Sequence, residues 1–229
     1  MLKIMDAYIG KIKNIFRTAG NPDNAGPMKA YMKNQFDFLG IKSTERRELS
    51  KPFLIRSSLP PKEQIWSVIR ELWALPEREF QYFSMLLAEK YNRVAEKDWI
   101  DHYANMITQK SWWDTVDFIA INLVGNYFMK FPERIPRITD QWMRSGNIWL
   151  ERSCLLFQLK YKIRTNTDFL DSFIQPLANS KEFFIAKAIG WALREYSKTN
   201  PEWVNSYIQN HELRPLSKKE GLKRISRSI

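Results

Sequence analysis

The chain has 229 residues, 44% of them hydrophobic, enough for a sizeable core and too apolar for wholesale disorder. Its 36 Lys and Arg against 25 Asp and Glu give a formal charge of +11 and a pI near 9.7, favouring a polyanionic partner: nucleic acid first, an anionic membrane surface second. The single Cys154 excludes an internal disulfide framework, and two histidines outside any zinc-binding spacing point to no metal and no cofactor.

In chain order, MLKIMDAYIGKIKNIF predicts an amphipathic helix to about Ala19. It lacks a small-residue cleavage site, and no apolar run approaches the roughly 20 residues of a membrane span, so a cytoplasmic protein with no membrane partner is expected. NPDNAGP (21–27) breaks the pattern, and Pro27 suits the first turn of the next helix. Ser43 and Thr44 can cap STERRELSKPF, which completes an N-terminal cap and first repeat unit over residues 1–60. Beyond it, PKEQIWSVIRELW (61–73) and PERIPRITDQWM (132–143) read as shorter amphipathic helices.

Four further segments superpose without gaps: REFQYFSMLLAEKY (78–91), DTVDFIAINLVGNY (114–127), IWLERSCLLFQLKY (148–161) and FFIAKAIGWALREY (183–196). Their final tyrosines, Tyr91, Tyr127, Tyr161 and Tyr196, are 36, 34 and 35 residues apart. Such a period predicts stacked helix pairs, because one pair alone cannot bury both its faces. The expectation is one all-α domain over 1–229: a superhelical solenoid of HEAT-like repeats (61–213) with a concave basic groove. The final RPLSKKEGLKRISRSI (214–229), with six basic residues and one acid, reads as either a solvated tail or a DNA-phosphate contact.

Nine tryptophans mostly suit a helical core. SWWDTVD (111–117) is different, since two adjacent Trp on a helix cannot face the same way. Trp113 and Asp117, spaced i, i+4, set an aromatic face beside a carboxylate, a combination that suits a cation. Arg152 and Trp191 fall in the corresponding segments of the next two repeats, where a solenoid could bring them to the same groove.

The strings PMKAYMKNQFDFLGI, IRELWALPEREFQ, KSWWDTVD, NIWLERSCLLFQLKYK, SKEFFIAKAIGWALREYSKTNP and PLSKKEGLK closely resemble the AlkD branch of the bacterial DNA alkylation repair glycosylases, from about residue 20 to 225. The resemblance implies Asp117 as catalytic carboxylate, Trp113 and Trp191 as lesion-facing aromatics, Arg152 as a DNA-backbone contact and Tyr31 as an aromatic near the DNA. Arg46, Arg47, Lys218 and Lys219 are further candidate DNA contacts. It also implies a monomeric, monofunctional glycosylase acting on duplex DNA with alkylated purines, 3-methyladenine and 7-methylguanine among them, without a base-flipping pocket. A non-catalytic HEAT-like scaffold, or a binder of distorted DNA, is the alternative.

Overall fold

A computed structural model describes residues 2–225, with side chains from residue 5, and is helical almost throughout. Among the described residues the only extended pairing is an isolated bridge between Asp37 and Glu77. No helix among the described residues is long and apolar enough to cross a membrane. The chain divides into two compact units, Met1–Ala95 and Glu96–Ile229, a boundary within the segment expected to hold the repeats.

The first unit contains α1 (Leu2–Thr18), α2 (Pro22–Tyr31), α3 (Ser43–Ser50), α4 (Ile65–Ala74) and α5 (Arg78–Glu89). In α4 the buried set Ile65, Val68, Ile69, Leu72 and Trp73 follows the three-four spacing of one helix face. Phe16 of α1 stacks on Phe80 of α5 at 5.6 Å and meets Phe83 edge-on at 5.9 Å, building an aromatic core. The buried Glu79 carboxylate accepts the amides of Leu39, Gly40 and Ile41 at 3.0, 2.9 and 3.2 Å, which satisfies a turn that makes few other backbone bonds. Gly40 is needed there: its φ is +87°, and a Cβ would lie 2.0 Å from the Asn21 carbonyl oxygen.

The second unit runs through α6 (Trp99–Thr108), α7 (Trp113–Phe118), a π-helical turn (Ile119–Val124), α8 (Gly125–Lys130), α9 (Ile135–Met143), α10 (Ile148–Leu156), α11 (Thr167–Leu177), α12 (Phe183–Tyr196), α13 (Pro201–Asn210) and α14 (Pro215–Leu222). α10 packs against α7, α9, α11 and α12 and is the unit's central helix. Cys154 on α10 is buried, and that burial pushes its thiol pKa up, as suits a small core residue.

The tyrosine period has a structural cause in three of its four members. Tyr91, Tyr127 and Tyr161 each donate their hydroxyl to a carbonyl 30 to 36 residues upstream: Pro60, Lys97 at 2.6 Å and Gly125 at 2.7 Å. The same polar tie therefore recurs between successive turns of chain. Tyr196 departs from it, with its ring edge-on to Trp203 at 5.4 Å.

The basic C-terminal segment is not a solvated tail within its described part. Residues 215–222 form α14, which packs along α12 at glycine-to-side-chain distance: a Cβ on Gly190 would meet the Glu220 Cβ at 2.4 Å. Buried Glu220 draws in Lys187 and Arg194, both at 2.9 Å, and Lys223, so much of the local positive charge is spent internally. Residues 226–229, including Arg227 of that segment, lie outside the described residues.

Burial alone would raise the Glu220 carboxyl, but the hydrogen bonds and charges of Lys223 and Lys187 hold it at about 2, below its ordinary 4.5. A carboxylate depressed in the folded state stabilises fully above its unfolded pKa, and that contribution drains away as pH falls through the folded value. Thermal stability is thus expected to decline from about pH 4.5 towards 2, with Glu220 contributing about 1 to 2 kcal/mol because its partners are partly solvated. Glu220→Gln should flatten that decline in thermal melts recorded across this range.

Candidate functional site

The approach to α7 is conformationally unusual. Lys110 adopts φ +51°, costing on the order of 1 kcal/mol for a non-glycine residue, and Ser111 Oγ ties the turn back to the Ile107 carbonyl at 2.6 Å. The chain is then extended at Trp112 and enters α7 at Trp113. Trp112 therefore stands outside the helix as its N-cap, and Trp113 is the first helical residue. Trp112 packs against Trp149 of α10 at 5.8 Å and Phe184 of α12 at 5.1 Å, while Trp149 and Phe184 also meet, at 5.0 Å. Trp113 is half-buried one helical turn before Asp117, on the same face.

Asp117 and Arg152 are 35 residues apart in sequence and joined in space. Nε of Arg152 donates to Oδ1 at 2.7 Å and Nη2 to Oδ2 at 2.9 Å, the two-pronged geometry that fixes a carboxylate in plane. The third nitrogen, Nη1, donates to the Phe184 carbonyl. The Arg152 side chain is 5% exposed and Asp117 14%, so one guanidinium ties α7, α10 and α12 together in a nearly dry setting. Burial raises the Asp117 carboxyl above its usual range; the Arg152 hydrogen bonds and charge oppose the rise, and Asp114 adds to it.

Trp191 is half-buried on α12, two turns beyond Phe184 and next to the tight Gly190 contact with α14. Lys218 and Lys219 are on α14, half-buried and exposed respectively. In the first unit Tyr31 ends α2 and is 69% exposed. Arg47 is exposed on α3, and Arg46 stacks over Tyr82 at 4.2 Å, where Arg78, itself over Phe36 at 3.7 Å, meets the same ring at 5.8 Å.

Sequence reasoning missed Phe184, Trp149, Trp112 and Asn122. Phe184 acts on Arg152 through its backbone carbonyl, which no side-chain pattern reports. Trp149 and Trp112 could have been flagged as aromatics one residue away from a helix entry, but nothing paired them. Asn122 sits in the π-turn, and the even helical spacing of 114–127 concealed that turn.

Residues 12–225 match the family described as DNA alkylation repair enzyme. Among solved structures, the chain is similar to a predicted DNA alkylation repair enzyme from Enterococcus faecalis, at 38% identity and a TM-score of 0.85, over 90% of this chain and 97% of that one. It also shares its fold with AlkD2 from Streptococcus mutans, at 19% identity and a TM-score of 0.62, over 86% and 98%. This likeness supports the helical-repeat architecture read from the tyrosine period. No curated protein gives a significant match. With the family match running from α1 past α14 and enclosing the Asp117–Arg152 pair, the chain belongs to the DNA alkylation repair enzymes.

Proposed function

We propose that the second unit holds the active site of a monofunctional DNA glycosylase that removes N3- and N7-alkylated purines, 3-methyladenine and 7-methylguanine among them, from duplex DNA. The observation carrying this reading is the Asp117 carboxylate, largely but not wholly buried, fixed in plane by Arg152 and one turn from Trp113. Such a lesion is already cationic. Its C1′–N bond breaks with the electron pair returning to the base nitrogen, so a neutral base leaves and no general acid is needed. Positive charge then develops on the deoxyribose, and a preorganised carboxylate in low dielectric stabilises it more than the ground state. Water adds at C1′, and in this reading Asp117 orients it and takes its proton.

Trp113 and Trp191 offer aromatic faces to the cationic lesion and sugar, a smaller contribution than the formal charge. A cavity of about 270 Å³ bounded by Gln158, Lys162, Thr165 and Tyr196 is lined by none of Asp117, Trp113, Arg152 or Trp191. In this reading contact with the sugar and backbone, rather than capture of the base in a pocket, is what the family resemblance implies, and with it tolerance of bulky adducts. Tyr31, Arg46, Arg47, Lys218 and Lys219 are put forward as DNA contacts, and a monomer as the acting form. For Arg152 the geometry supports a clamp on Asp117 more than a phosphate ligand, since all three of its nitrogens have protein acceptors.

Chromatographic detection of free 7-methylguanine from methylated duplex tests the reading. Release without strand cleavage is expected. Tight binding with no release would instead identify a non-catalytic helical-repeat scaffold.

A further inference from the structure

The helix that delivers Asp117 is wound irregularly just beyond it. Residues 119–124 form a π-helical turn, closed by the Gly125 amide bonding to the carbonyl of Ala120, five residues back. The consequence is one of register. Over eight residues an unbroken α-helix turns through roughly 800°, placing Gly125 about 80° around the axis from Asp117; the extra residue in a π-turn removes about 100° and returns it to within about 20°.

Both positions need that shared face, because both meet α10 and the segment following it. Asp117 meets Arg152, while the Gly125 carbonyl accepts the Tyr161 hydroxyl at 2.7 Å. A Cβ on Gly125 would lie 2.6 Å from the Phe157 carbonyl oxygen, so only glycine fits the approach. The π-turn lets a close backbone contact and an ion pair coexist along one helix pair.

Asn122 stands inside this turn and is bonded in two directions. Its Nδ2 donates to the carbonyl of Phe118, the residue after Asp117, at 2.9 Å. Its Oδ1 accepts from Lys160 Nζ, in the segment following α10, at 2.6 Å. We infer that Asn122 is a positioning residue for Asp117: it ties the Phe118 carbonyl, one residue past Asp117, to the α10 side and holds the wide turn that sets the carboxylate against Arg152. The catalytic consequence rests on the glycosylase reading; the positional claim does not.

Asn122→Ala removes both bonds, whereas Asn122→Ser keeps a hydroxyl able to donate to the same carbonyl four residues back. Two readouts are compared in the full chain: single-turnover release of 7-methylguanine at saturating protein, and the titration of the Asp117 carboxyl carbon by NMR, assigned by its absence in Asp117→Asn. Asn122→Ala is expected to release base about tenfold more slowly with unchanged DNA affinity, as for a group moved slightly out of line. Its Asp117 midpoint should move up, since a looser Arg152 bond opposes the effect of burial less. Asn122→Ser, which keeps the Phe118 bond but not the reach to Lys160, should recover both readouts part-way.

An Asn122→Ala protein with the parental rate and Asp117 titration would overturn the inference. So would a rate loss accompanied only by a lower melting temperature, with the titration unmoved. A parent that released no base, yet showed the Asp117 midpoint rising in Asn122→Ala and recovering in Asn122→Ser, would remove the glycosylase reading and leave the positional one standing.

Discussion

Asp117→Asn is expected to slow single-turnover release of 7-methylguanine by about ten- to a thousandfold, or roughly 1.4 to 4 kcal/mol of transition-state stabilisation, with DNA affinity retained. The substitution keeps the side chain's size and one acceptor for Arg152 while removing the formal charge that opposes the developing sugar cation. Asp114→Asn is the internal control. Asp114 lies in the first turn of α7, one turn before Asp117, whose pKa its charge helps to raise, so its loss should move the acid limb slightly to lower pH but scarcely slow the chemical step once Asp117 is ionised. The parental rate should also fall on acidification as Asp117 takes up a proton, at a pH above the usual carboxylate range because burial raises its pKa. That acid limb should vanish in Asp117→Asn. If Asp114→Asn were slow and Asp117→Asn fast, the carboxylate assignment would be reversed.

Arg152→Ala should have the largest effect on stability. Removing one partner of a buried ion pair leaves the other uncompensated, a loss of about 3 to 5 kcal/mol that protonation of Asp117 can partly relieve. The Phe184 carbonyl loses its donor in the same step. Calorimetry should show a lower melting temperature, and the acid limb of the rate profile should move to higher pH, because the group opposing the effect of burial on Asp117 is gone. Arg152→Lys should recover little, since an ammonium cannot make the paired bonds. A salt titration separates clamp from phosphate ligand. The clamp leaves the slope of log K against log[salt] unchanged, whereas a lost phosphate contact makes it shallower by about 0.9.

The helical class and the repeat were legible because burial on one face writes a three-four period, as in Ile65, Val68, Ile69, Leu72 and Trp73. The tyrosine spacing was legible because the same hydroxyl-to-carbonyl tie recurs from turn to turn. Trp113 and Asp117 could be placed on one face from spacing within a single helix. Their relation to Arg152 could not, since it depends on how α7 and α10 pack. The π-turn escaped for a related reason: residues 114–127 are apolar at both α and π spacings, and Gly125 marks a close approach only once Phe157 is in place. The C-terminal basic run was read from charge alone, which gives no sign that Glu220 is buried at the centre of three cations.

The central claim is that this site expels a base that is already cationic, through a carboxylate and without a proton donor. It is tested most directly by placing 7-methylguanine and the neutral lesion hypoxanthine in otherwise identical duplexes and measuring single-turnover release of each across pH. Release of 7-methylguanine, abolished or strongly slowed by Asp117→Asn, with hypoxanthine left in the DNA, is the predicted result. Comparable release of both bases, or release of 7-methylguanine indifferent to Asp117, would contradict it.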